Sequence, residues 1–495
     1  MRNSFIPFPV IAAAALLASC ASADLPATST PSPVPTALEA PIDPTPANPS
    51  TSLMYDLVST DPVVASDALR HIRSDDDHFV PVLLEMMRAM QIGALPATNY
   101  QNTVAGLELL SGQSFGTNWA DWIEWYGTTD IQPPPGFTGW KGQLLGRIDP
   151  GFAEFLRDDE PSRIRSEEIL WGGVLVDGIP ALDSPAMIAP ADADYLTPED
   201  PVFGIELNGD ARAYPLRILD WHEMANDVIG GVPVSLAYCT LCGAAIAYDG
   251  RIGDQTVTFG SSGLLYRSNK LMYDRQTRTL WNQLTGEPVL GPLADQELTL
   301  NYLPVVLTTW GEWQAEHPDT QVVSLETGYS RYYELGAAYG DYFASSQTMF
   351  PVWQRSDLLP DKSQVYALRL DGVPKAYPVD VLVEEGVVND VVGETPVVLV
   401  AADSKVIVQG NNLDSGPPQY SAGAEVRAYG RGDHEFAPGP DAATVVDEDG
   451  SIWQVTEEAL IGPEGQRAER IAGHLAYWFG WFAFFPETLV YGVEG

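Results

Sequence analysis

Cys239 and Cys242, in the run Cys239-Thr-Leu-Cys242-Gly243, are the side chains of this chain best equipped for chemistry. Their spacing lets both sulfurs face one centre, and Gly243 can supply the positive φ of a tight turn. Two functions use such a pair. One is a metal knuckle at the tip of a hairpin; the other is a dithiol that forms and breaks a disulfide. A reactive dithiol usually opens a helix, whereas the Ala-Ala-Ile-Ala-Tyr248 that follows leans towards strand. No histidine follows Cys242 directly, so covalent haem attachment is not supported.

A closed metal site needs four ligands, and the knuckle supplies two. His222 and His317 are the expected partners. Thiolate and imidazole together suit Zn2+ or copper and argue against Ca2+ or Mg2+. With copper, Met272 would be a soft axial ligand. Glu223 adjoins His222, where a carboxylate would orient a ligating ring. The polar runs Ser261-Ser262-Gly263, Tyr266-Arg267-Ser268 and Tyr273-Asp274-Arg275 are candidates to surround such a site, with Asp274 and Arg275 read first as a structural ion pair. His71, His78, His434 and His474 read as surface or packing residues.

The two histidines are singled out by an internal repeat. Residues 203–242 recur 163 positions later as 366–405, sharing 13 of 40 residues without a gap. The shared residues include Ala-Tyr-Pro at 213–215 and 376–378, Asn-Asp-Val at 226–228 and 389–391, and the pairs Gly209/Gly372 and Leu219/Leu382. The reactive residues differ: His222 becomes Glu385, Cys239 becomes Ala402 and Cys242 becomes Lys405. Further on, Trp281 answers to Trp453, and the Trp310/Trp313 pair answers to Trp478/Trp481. There His317 becomes Phe485. What survives twice is read as scaffold, Asn226-Asp227 and the paired tryptophans included. What occurs once is read as chemistry. Repeats of this kind are read before local structure because they govern the fold assignment.

The elements that must hold these residues form an α+β, multidomain chain. Residues 53–127 read as a small helical domain, HEAT-like or a bundle: Asp61-Pro62 is an N-cap with Pro at N1, and Val82, Leu83, Met86, Met87 and Met90 form an apolar stripe. Its methionines are read as core filler rather than copper ligands. Short β-like runs then dominate, giving two related β-rich domains at 165–335 and 364–495 by internal duplication. An aromatic-rich segment joins them. In each copy Pro215 or Pro378 opens a short helix between the first strands.

The net charge of −41 argues against nucleic acid, whose phosphates need Lys and Arg, and against anionic membrane surfaces; it reads as a solvated acidic surface. Arg2, the apolar 6–17 run and Leu17-Ala-Ser-Cys20 form a targeting signal over 1–19. Its end resembles the bacterial lipobox, which implies acylation of Cys20 and an exported protein tethered to the cell-envelope membrane. Residues 20–52, rich in Pro, Ser and Thr, read as a linker. With Cys20 acylated, only Cys239 and Cys242 remain, so no general disulfide framework is available. No phosphate loop, Gly-x-Ser-x-Gly elbow or His-Glu-x-x-His helix is present.

Residues 171–323 resemble the uncharacterised prokaryotic family called domain of unknown function 3179. The resemblance rests on Trp171-Gly-Gly-Val-Leu-Val-Asp-Gly-Ile-Pro180, Trp221-His-Glu223, Tyr238-Cys-Thr-Leu-Cys-Gly243, Met272-Tyr-Asp-Arg275, Leu280-Trp281 and His317-Pro318. It implies that His222, Cys239 and Cys242 belong to a family pattern, and it implies no activity. Three readings follow for an exported lipoprotein: a thiophilic metal at Cys239, Cys242, His222 and His317; a thiol–disulfide protein using Cys239 and Cys242; and a non-enzymatic surface module.

Overall fold

The computed structural model of the chain describes residues 49–410 and 417–493. Cys20, the targeting signal and nearly all of the linker lie outside the described residues. The chain contains both helices and strands in the α+β arrangement expected.

Helices begin at Pro49–Leu57, inside the stretch read as linker. They continue past residue 127 with Phe137–Leu145 and Pro150–Phe155. Pro133-Pro134-Pro135 interrupts the helices, but aromatic and leucine residues beyond it restore helical burial at Phe137, Trp140, Leu144 and Leu145. In Pro62–His71 the Asp61 carboxylate accepts from the Val63 N–H, as the sequence predicts. The methionine stripe of Val80–Gln91 is buried core. The helices do not stand apart. Buried Lys141 donates to Glu85 at 2.6 Å and to the Ser166 carbonyl at 3.0 Å, tying two helices to the start of the β region. Removing either charge would strand the other, at about 3–5 kcal/mol. One apolar cluster runs from Met54 through the β region to Phe485.

Two β units follow with the same element order. The first sheet runs Val306–Thr309, Pro201–Leu207, Asp210–Pro215, Gln321–Val323. The second runs His474–Tyr477, Gln364–Leu370, Val373–Pro378, Leu489–Val490. In both, the first three strands are antiparallel and the fourth is parallel to its neighbour; the first sheet adds a fifth, Met187–Ile188, antiparallel to Gln321–Val323. A short helix follows the third strand, Leu216–His222 or Val379–Glu385, with the proline at its N-cap.

The repeated residues make repeated contacts. Tyr214 and Tyr377 donate to Asp227 and Asp390 at 2.7 and 2.8 Å. Asn226 clamps the backbone of Phe259, and Asn389 that of Phe436, each accepting an N–H and donating to the carbonyl. The indoles of Trp281 and Trp453 donate to Asp274 and Asp447, and those of Trp313 and Trp481 to Thr320 and Thr488, all at 2.9 Å. Each satisfies a polar group that burial would otherwise strand.

The units part company at the second hairpin. In the first, Val232–Cys239 ends at the cysteine and turns over residues 240–243. It returns as Ala244–Asp249, with Cys239 opposite Ala244. In the second, Thr395–Gln409 runs straight on as one strand, with a register shift between Ala401 and Lys405. A bulge stands where the first unit has its turn.

Candidate functional site

Strand Val232–Cys239 carries Cys239 to the end of a sheet, and the turn sets Cys242 beside it. Gly243 has φ 58°, as a turn of this tightness requires. Both thiols are free and buried, with 1 % and 0 % of their surface exposed. The single proton of Cys242 has two acceptors in reach, the Cys239 sulfur and the Ser268 carbonyl at 3.5 Å. Asn269 donates to the Cys242 sulfur at 3.6 Å and to Gln283 at 2.9 Å, and Gln283 in turn donates to both strands of the hairpin.

The two thiols are driven apart electrostatically. Burial pushes Cys239 up, but hydrogen bonds from the Cys242 thiol and from the backbone N–H groups of Lys270 and Cys242 outweigh it and hold Cys239 below the ordinary thiol value. Burial pushes Cys242 well above that value, and so does its donation to Cys239. A thiolate-prone sulfur beside a proton-holding one is the arrangement of an attacking and a resolving thiol.

Cys239 lines a cavity of about 50 Å3 together with Glu223, Thr240, Lys270 and Tyr339, closed by apolar Val174, Leu264 and Phe350. Lys270, 3 % exposed, pairs with Glu223 at 3.1 Å. Thr240 donates to the other Glu223 oxygen at 2.9 Å. Glu223 occupies the C-cap of Leu216–His222 with φ 54°, a left-handed backbone that costs a non-glycine residue on the order of 1–3 kcal/mol. The second unit puts Gly386, φ 70°, at the same C-cap. The first unit therefore keeps a strained carboxylate where glycine would be relaxed.

The sequence pointed to Glu223 as a partner of His222, but Glu223 serves Lys270 and Thr240 instead. His222 donates from Nδ1 to the Pro180 carbonyl at 2.8 Å and accepts at Nε2 from Tyr333 at 2.6 Å. Its ring stacks on Tyr333. Burial pushes its pKa down, so the neutral ring is favoured. With both nitrogens engaged, His222 is not gathered with the cysteines. His317 lies elsewhere again, its ring 4.0 Å from that of Trp313. Phe485 stacks on Trp481 in the same way, at 4.2 Å. Packing accounts for the ring at that position in both units, but the buried Nε2 of His317 has no hydrogen-bond partner among the described residues, a cost that Phe485 does not carry.

Among the described residues, the four expected ligands do not form one group. The cluster whose geometry can hold a metal ion is Glu316, His317 and Glu457, with ligand atoms within 4.8 Å of one another and residues from both units. Arg427 already bridges Glu316 and Glu457 at 2.8 and 2.5 Å. Burial pushes Glu316 up to about 7. Met272 is packed in the main core. Arg275 pairs with Asp183 at 2.5 Å rather than with Asp274, whose carboxylate is taken by Trp281 and Thr277. Ser262 donates to the Leu271 carbonyl, and Arg267 pairs with Glu168, so of the polar runs Ser261 alone reaches the cavity wall with Gly263.

Lys270, Thr240 and Tyr339 were not legible in advance. Lys270 lies 47 residues further along the chain, and no spacing rule links it to Glu223. The second unit and the connector also contribute. The Tyr477 N–H donates to the Cys242 carbonyl at 2.6 Å, and Tyr342 donates to that of Leu241 at 2.6 Å. A Cβ on Gly480 would stand 3.0 Å from the Cys242 sulfur, so only glycine lets the second unit close over it.

No curated protein and no solved structure matches the chain. A family model described as protein of unknown function DUF3179 matches residues 176–488. That match extends well beyond residue 323 and covers both β units with the aromatic connector between them. With more than half of its length inside that match, the chain belongs to the DUF3179 family.

Proposed function

We propose that this chain is an exported, lipid-anchored protein whose first β unit performs thiol–disulfide exchange, and that the two β units descend from an internal duplication. The carrying observation is the unequal thiol pair: Cys239 held towards thiolate by three hydrogen bonds, at the wall of a cavity, with Cys242 holding the proton beside it. The Cys239 thiolate attacks one sulfur of a substrate disulfide and displaces the other as thiolate. Cys242 then gives up its proton and attacks Cys239, releasing the second substrate thiol and leaving a Cys239–Cys242 disulfide. The substrate gains the two electrons that the pair loses. Lipid anchoring rests on Cys20 and the apolar run before it. Duplication is supported by the common strand order and the paired contacts of Asn226/Asn389 and Trp313/Trp481.

The test is a redox titration of the full-length protein in glutathione buffers, read by thiol alkylation and mass spectrometry. The expected result is one reversible two-thiol transition that Cys239→Ser abolishes. A pair that never oxidises reversibly sinks the reading.

A second reading, metal binding, is favoured by the Glu316, His317 and Glu457 cluster and by the thiolate character of Cys239. Metal content of the purified protein, with Cys239→Ser and His317→Ala beside it, separates a thiolate site from a carboxylate–imidazole one and names Zn2+, copper or neither.

A further inference from the structure

The cavity holds more than a dithiol needs. Exchange requires two sulfurs and a path for one proton. This cavity also brings a carboxylate and an ammonium group to the same wall as the attacking sulfur, and the chain accepts a left-handed backbone at Glu223 to do so. The Lys270 backbone N–H bonds the Cys239 sulfur while its side chain pairs with Glu223, so one residue ties nucleophile and carboxylate together. Thr240 fixes the remaining carboxylate oxygen. In the second unit Ala402, Asp403 and Gly386 stand at the positions of Cys239, Thr240 and Glu223, so nucleophile, hydroxyl and carboxylate are lost together. A structural ion pair alone does not explain the strain.

We propose that Cys239, Glu223 and Lys270 form a nucleophile, base and cation that hydrolyse activated esters or thioesters of short acyl groups. Ligand pockets for larger molecules run to roughly 300–1,000 Å3. At about 50 Å3, with Val174, Leu264 and Phe350 around it, this cavity takes an acyl group of a few carbons. Glu223 accepts the Cys239 proton as sulfur attacks the carbonyl carbon, and Lys270 faces the negative charge that develops on oxygen. The bond to the leaving alcohol or thiol breaks, and that group departs with the proton from Glu223. Water then attacks the S-acyl carbon, passing a proton to Glu223. The C–S bond breaks, carboxylic acid leaves and Cys239 recovers the proton. One water is consumed, and no oxidant or reductant is involved.

The test uses the full-length protein with p-nitrophenyl acetate and an acetyl thioester, following nitrophenolate or thiol release and, after acid quench, acetyl on the Cys239 peptide. Expected are an acetyl adduct at Cys239 and release slowed about 100-fold or more by Cys239→Ser and Glu223→Gln. Glu223→Gly is the folding control, because it copies the relaxed C-cap of the second unit; it too loses activity. No adduct on the folded parent protein, or unchanged release by Glu223→Gln, overturns the proposal. Exchange with no hydrolysis sinks this inference alone. Hydrolysis with no reversible disulfide sinks the exchange reading alone.

Discussion

The hairpin Val232–Asp249 and its counterpart Thr395–Gly430 begin alike and end differently. Each leaves the same kind of helix, and each is anchored by an Asn that clamps a Phe backbone. The first then turns sharply at its cysteines and buries them. The second passes the same point with a bulge and extends its strand. The anchoring residues are identical because they satisfy backbone groups that any chain of this shape must bury. The turn differs because nothing in the shape demands free thiols there. Retaining a turn, a strained Glu223 and a buried Lys270 in one unit costs stability that the other unit does not spend.

Several measurements press on that contrast. The largest effect is expected at the thiols: Cys239→Ser abolishes exchange, whereas Cys242→Ser leaves attack intact and traps a mixed disulfide, seen as a stable adduct by non-reducing gel and mass spectrometry. Equal behaviour of the two variants would erase the division between attacking and resolving sulfur. Next come the shared tryptophans. Trp313→Ala and Trp481→Ala each leave a fully buried cavity and remove the indole N–H that a threonine oxygen accepts, and each should lower unfolding free energy by about 3–5 kcal/mol in denaturant titration. If one is tolerated and the other is not, the two units do not share a scaffold in the energetic sense.

Acid should strike the second unit through His474. Burial pushes this ring down to about 4. Its folded pKa lies below the unfolded value near 6.5, so the native state binds fewer protons in between. The stability it contributes is complete above about pH 6.5 and is lost as pH falls towards 4, by roughly 3 kcal/mol in total. His474→Phe, tested by unfolding at pH 7 and pH 4.5, should flatten that dependence; an unchanged pH slope would remove His474 as its source. The smallest effect is at the C-caps. Gly386→Ala should cost about 1 kcal/mol because its backbone is left-handed, while Glu223→Gly relieves backbone strain yet unpairs Lys270. If Gly386→Ala is neutral, the argument from strain at Glu223 weakens with it.

Much of the scaffold was legible because it obeys local rules. Asp61-Pro62 starts its helix, the methionine stripe is buried, and Pro215 and Pro378 open matching helices, each following from capping or periodicity. The helical region was drawn too short at both ends, because Pro-rich punctuation at 133–135 suggested an ending that later aromatic burial reversed. The cysteines lie together, whereas His222 and His317 were grouped with them only because all four disappear from the second unit. Co-loss records what the second unit lacks, not what touches what. His222 is held by Pro180 and Tyr333, and His317 packs on a tryptophan as Phe485 does.

The amino-acid order by itself determined the repeat, the turn at Gly243, the buried faces of the helices and the placing of two cysteines at one turn. Periodicity, capping and backbone preference act over a few residues and leave their mark in the sequence. Only the tertiary structure decided which groups surround those sulfurs. Lys270 and Glu223 are 47 residues apart, and Tyr477 and Gly480 come from the other unit. Their convergence is set by strand pairing and by burial of one continuous core, long-range terms that no local spacing encodes.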